Sequence, residues 1–118
     1  MYTDLTNAVI AQLGLKDRWG VTGDDHESTM RDVARGGADA GFHGFIYYHE
    51  TCAFYDANAE LIWEALCDDA EAFGQTPMQI IAGFKSYIND DTSFKNVLAW
   101  YALERAADEV VDALEVTK

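Results

Sequence analysis

Residues 56–74 read DANAELIWEALCDDAEAFG, and two periods run through them at once. Ile62, Leu66, Ala70 and Phe73 recur at steps of three and four, with Leu61 beside Ile62, the spacing of one buried helix face. Asp56, Glu60, Glu64 and Asp68 fall at every fourth position, with no Lys or Arg among or between them. Like charges four apart on a helix repel by roughly a few tenths of a kcal/mol per pair, so interleaved lysines would be the more stable arrangement. Burying one Leu or Ile contributes roughly 1.5–3 kcal/mol, which carries the helix over that repulsion. The apolar face demands a helix, and the acidic face only tolerates it.

The same period extends outward. Thr51 stands where a cap would for a helix beginning at Cys52, with Phe54 and Tyr55 inward and an irregularity near Asn58, so one bent helix or two short ones fit. Gly74 closes it. Thr76 and Pro77 then read as an N-cap followed by proline at the first helical position, with Met78, Ile81, Phe84 and Ile88 as the apolar stripe. NDDTS at 89–93 is a break. Phe94, Val97, Leu98, Tyr101, Ala107, Val110, Val111 and Leu114 predict a last helix over about Ser93 to Leu114.

Towards the amino end, Thr3 caps a predicted helix over about 4–13, with Leu5, Val9, Ile10 and Leu13 inward and Gly14 ending it. KDRWGVTGDD at 16–25 suits a loop anchored by Trp19, and a further helix is expected from Asp24 or Asp25 to Gly36 or Gly37, with Met30, Val33 and Ala34 inward. GGADAGFHGFIYYHET at 36–51 follows neither period. An irregular loop passing into a helix is expected there, with a short extended piece near 44–48 as the alternative. No hairpin signal occurs. The expected fold is mainly α: one acidic helical domain over 1–118, with about five helices.

A chain of 118 residues can bury roughly two-thirds of its unfolded surface, and 49% hydrophobic content with 13% aromatics supports an ordered core. With 21 acidic against 8 basic residues the net charge is −13, which opposes direct binding to nucleic-acid phosphates and to anionic membranes. A partner drawn by charge would be basic, or a cation. There is no 18-residue apolar run and no basic-then-apolar amino terminus, so a cytoplasmic protein is expected. Cys52 and Cys67 read as small buried hydrophobes.

No motif makes a case for catalysis, a cofactor or a metal. His49, Glu50 and Cys52 match neither His-Glu-x-x-His nor paired Cys-x-x-Cys spacing, and the thiol and imidazole lack a third, orienting group. The glycines from Gly36 to Gly44 come with Asp39 and without Lys or Arg, which suits a sharply turning backbone rather than a phosphate cradle. Tyr47 and Tyr48 are neighbours that cannot both face inward in a strand, so one of them is a candidate interface residue.

The acidity is segregated: residues 36–84 contain no Lys or Arg but hold Asp39, Glu50, Asp56, Glu60, Glu64, Asp68, Asp69 and Glu71. Glu104, Asp108 and Asp112 repeat the four-residue step on the last helix, opposite Ala107, Val110 and Leu114. Carboxylates four apart rise about 6 Å along a helix, whereas a DNA duplex presents one charge per ~1.7 Å of axis, so one row is too sparse to imitate a duplex. Two rows on helices packed ~8–10 Å apart would come nearer, provided both face the same side. A merely solvated, solubilising face would look the same, as would adaptation to high salt in a chain with only four lysines.

The segment GGADAGFHGFIYYHETCAFYDANAELIWEAL with the later FKNVLAWYALE resembles small acidic proteins of phages, plasmids and their hosts that share a G-F-x-G-F-I-Y-Y-x-E-T core. The resemblance spans roughly residues 29–104 and rests on Gly36, Gly41 and Gly44, Ile46-Tyr47-Tyr48, Glu50-Thr51, Phe54-Tyr55 and Ile62-Trp63. It implies no reaction and brings no catalytic residue. It does imply genetic company in which short acidic proteins block host defence by covering DNA- or RNA-binding surfaces of restriction or CRISPR complexes. The expected function is therefore a non-enzymatic inhibitor that meets a basic surface of a host protein or nucleoprotein complex through Asp56, Glu60, Glu64, Asp68, Asp69, Glu71, Glu104, Asp108 and Asp112. The alternative is a small structural or regulatory module that self-associates or binds a protein partner through aromatics such as Tyr47 and Tyr48, with the acidity serving solubility only.

Overall fold

The computed structural model describes residues 2–14, 31, 48–88 and 93–116, which form α1 (Asp4–Gly14), α2 (Tyr48–Phe73), α3 (Pro77–Ile88) and α4 (Phe94–Val116). The described residues hold four helices and no strand, so the mainly α expectation holds. The helix expected from Asp24 or Asp25, the loop at 16–25 with Trp19, and the extended alternative at 44–47 lie outside the described residues. Tyr48 begins α2.

Local chemistry sets the helix ends. The Thr6 amide donates to Thr3 Oγ1 at 3.3 Å and the Asn7 amide to the Thr3 carbonyl at 3.0 Å, so Thr3 caps α1 as expected. Thr76 and Gln79 form a reciprocal capping box: the Gln79 amide donates to Thr76 Oγ1 at 3.2 Å, and the Thr76 amide donates to Gln79 Oε1 at 2.8 Å. Pro77, at the first position of α3, has no N–H to satisfy. The Asn96 amide donates to Ser93 Oγ at 3.3 Å, which caps α4. At the end of α2 the Gly74 amide bonds the Glu71 carbonyl and the Gln75 amide bonds the Ala70 carbonyl, at 3.3 and 2.9 Å. This is a Schellman closure, and it places Gly74 at φ +66°.

α2 is one helix bent at Asn58, whose φ of −129° and ψ of 19° leave the helical region. The Asn58 side-chain amide donates to the Phe54 carbonyl at 3.0 Å, covering an acceptor at the bend. Thr51 does not cap this helix. It lies buried inside α2, and its hydroxyl donates to Asn96 Oδ1 of α4 at 2.7 Å. The helix starts a turn earlier than Thr51 suggests, and the hydroxyl serves a contact between α2 and α4.

α4 is the hub, packing against each of the other three helices. Val97, Leu98, Ala99, Ala102, Leu103, Ala106, Ala107 and Val110 are all sealed from solvent. They meet Leu5 and Val9 of α1, Phe54, Ile62 and Leu66 of α2, and Ile81 of α3. Its alanines allow neighbouring backbones to approach on several sides at once. Three expected apolar positions depart from this core, all within a few residues of a helix end: Phe73 is 73% exposed, Met78 66% and Phe94 50%. Cys67 is exposed rather than buried and Cys52 is half-buried; both are free thiols.

Candidate functional site

The acidic side chains of α2 divide by direction. Asp56, Glu60, Glu64 and Asp68 all stand exposed on the side away from buried Ile62, Ala65, Leu66 and Ala70, and Glu71 is exposed as well. Only Asp56 has a cation, Lys95 Nζ at 2.7 Å, and both partners are solvent-exposed. Hydrogen bonding to Asp56 raises the Lys95 ammonium above its ordinary value. Glu60, Glu64 and Asp68 have no such neighbour among the described residues.

Asp69 belongs elsewhere. It follows Asp68 in sequence but lies about 100° further round the helix, which turns it towards α4. The Tyr101 hydroxyl donates to Asp69 Oδ2, Arg105 Nε lies 3.1 Å from the same oxygen, and Arg105 Nη2 lies 3.4 Å from Oδ1. Burial and then the bond to anionic Asp69 push the Tyr101 phenol well above its ordinary value. Burial works against the Arg105 charge, but the bond to Asp69 outweighs it and holds the guanidinium above its usual value. The carboxylate expected to greet a partner is thus satisfied inside the fold.

These residues form one end of a groove of about 800 Å³ between α3, α4 and the end of α2. Phe73, Ile80 and Phe84 give it an apolar side, and the Phe84 ring meets Tyr101 edge-on at 5.6 Å and 88°. Glu104, Asp108 and Asp112 line the opposite side at one-turn steps. Burial first, and then the Asp108 charge, raises the Glu104 carboxyl. Asp108 is raised in the same way by burial, then by Asp112 and Asp69. These carboxylates are held closer to one another than their charge favours. None of Asp56, Glu60, Glu64 and Asp68 lines the groove, so α2's outer row and α4's row serve separate surfaces.

Glu109, also at the groove, is the acid that the spacing did not single out. Its Oε1 accepts the Thr3 amide at 2.7 Å, and its Oε2 accepts the Thr3 and Thr6 hydroxyls at 2.9 and 2.8 Å. Burial pushes its carboxyl up, but the bonds from Thr3 and Thr6, helped by the Arg105 charge, bring it below the ordinary range. A carboxylate at the amino end of α1 also meets the positive end of that helix's dipole. Nothing in sequence marks this contact, because the partners lie 103 and 106 positions apart.

Of the tyrosines expected at an interface, Tyr47 lies outside the described residues and Tyr48 is the first residue of α2. His49 is exposed, Glu50 buried and Cys52 half-buried. Among the described residues no three His, Cys, Asp or Glu side chains gather as metal ligands would. No described helix is long and apolar enough to cross a membrane.

Residues 4–116 match a family described as a domain of unknown function, DUF7222. The chain belongs to this family. The DUF7222 match covers all four helices, both acidic rows and the groove, reaching well beyond the 29–104 stretch that carries the resemblance to phage and plasmid proteins. No curated protein and no solved structure matches the chain.

Proposed function

We propose that this DUF7222 protein is a binding protein that covers a basic, nucleic-acid-binding surface of a host defence complex, as a mobile element's inhibitor of the CRISPR or restriction type. The carrying observation is the outer row of α2, where Glu60, Glu64 and Asp68 stand exposed with no cation against them among the described residues. The net charge of −13 and the cation-free stretch 36–84 give that face a sustained negative field, which steers a basic partner towards it. The groove supports binding over catalysis: Tyr101 and Arg105 are engaged with Asp69, and Glu109 with Thr3 and Thr6. A single row rising about 6 Å per carboxylate is sparser than a duplex, so the proposed contact is a docking row rather than a full duplex imitation.

The test is protection in cells. Bacteria carrying an active CRISPR or restriction system are challenged with a targeted phage while they express either the parent protein or E60K/E64K/D68K. The parent should restore phage growth and the folded triple variant should not. A triple variant that protects as well as the parent removes the row from the function, and a parent that protects against no system removes the inhibitor reading.

A further inference from the structure

We infer that the groove between α3 and α4 is a docking site for a basic amphipathic helix of a partner protein, with Lys or Arg along Glu104, Asp108 and Asp112 and large apolar side chains over Phe73, Ile80 and Phe84.

Charge complementarity selects the occupant. Among the described residues five carboxylates line the groove, Asp69, Glu104, Asp108, Glu109 and Asp112, against one cation, Arg105, which is already bonded to Asp69. Glu104, Asp108 and Asp112 form a ladder with a step of about 6 Å, and the natural complement is a second helix with cations at i, i+4 and i+8. Burial and, after it, neighbouring carboxylates raise Glu104 and Asp108, and a partner cation would offset both. Across from the ladder, Ile80 and Phe84 repeat the same four-residue step, and the ring of Phe73 is 73% exposed at their end. A helix laid along the groove would therefore meet acid on one flank and apolar surface on the other.

Gly83 supplies an independent observation. It lines the groove from within α3, where glycine destabilises a helix by roughly 0.5–1 kcal/mol relative to alanine, yet a Cβ built there would meet nothing within 4 Å. No packing inside the described fold calls for glycine at this position. Its absent side chain leaves the wall low and the groove open. The volume of about 800 Å³ is in the range that accepts a row of anchoring side chains. This inference goes beyond the docking row: the groove contains none of Glu60, Glu64 and Asp68, so either surface can fail without the other.

The probe is a fluorescent synthetic helical peptide with Lys at i, i+4 and i+8 and Leu along the adjoining face, read by anisotropy at moderate salt. A peptide of the same composition in scrambled order is the control. Saturable binding is expected, and D108K/D112K and Gly83→Leu should each weaken it by about tenfold or more, the loss typical of a central interface position. E60K/E64K should hold affinity within about threefold, because neither residue lines the groove. Equal binding of the scrambled peptide, or undiminished binding to Gly83→Leu, overturns the proposal. So does a parent dimer that D108K/D112K dissolves, which would make a second copy the occupant.

Discussion

Arg105 reaches from α4 to Asp69 on α2, with Nε 3.1 Å from one carboxylate oxygen and Nη2 3.4 Å from the other. The contact turns one of two adjacent aspartates from a surface charge into a tie between helices. Arg105 is also the only cation among the described residues that line the groove.

Arg105→Leu should therefore cost about 1–3 kcal/mol, since it removes hydrogen bonds to a charged group and leaves Asp69 facing Asp108 without a counter-charge. Tyr101→Phe removes a single donor and should cost about 1.5 kcal/mol. Glu64→Gln on the exposed row should stay within about 0.5 kcal/mol of the parent. Urea unfolding midpoints compare the three, and equal midpoints for Arg105→Leu and the parent would mean that the tie contributes nothing.

Glu104 and Asp108 carry raised carboxyls, and the sign follows from linkage. The folded state holds their protons more tightly than the unfolded state does, so folding is favoured below the unfolded carboxylate value and loses that advantage as pH rises through the folded one. Asp108→Asn should raise the melting temperature at neutral pH by the equivalent of about a few tenths of a kcal/mol, the size of a like-charge pair one turn apart. The gain should vanish in acid. A gain that persists below the carboxylate range would have another origin.

Glu109 has the opposite sign. Its lowered carboxyl stabilises the fold above the unfolded carboxylate value, and that stability fades as pH falls through the folded value. Glu109→Gln should cost about 1 kcal/mol at neutral pH, through lost charge at a helix amino end and weakened bonds to Thr3 and Thr6. Faster amide exchange along α1, with α3 unaffected, is the expected signature.

Two glycines should respond in opposite directions. Gly74→Ala forces a side chain into φ +66° and should destabilise by about 1–2 kcal/mol. Gly83→Ala meets open space within a helix and should stabilise by about 0.5–1 kcal/mol. Thermal unfolding of the two variants separates backbone strain from helix propensity.

What could be read from sequence was whatever neighbours decide. Thr3, Thr76 with Pro77, and Gly74 act on backbone groups within five residues, so their chemistry is visible in the string itself. The bend at Asn58 was visible for the same reason. Thr51 misled because a buried hydroxyl and a capping hydroxyl look alike, and its partner Asn96 lies 45 positions on. Asp68 and Asp69 differ only in direction, and what distinguishes them is Arg105, 36 positions beyond Asp69. The two acidic rows were legible as rows. That they serve different surfaces depends on how α2 and α4 are rotated against each other, which periodicity does not specify.

The position of α4 in the chain bears on how the protein is made. α1, α2 and α3 bury their apolar faces largely against α4, yet all three leave the ribosome before it. Until residues 94–110 emerge, Val9, Ile62, Leu66 and Ile81 lack the surface that covers them in the finished fold. The full core therefore closes only once α4 has emerged, and until then these apolar faces of the nascent chain are surfaces that chaperones can engage.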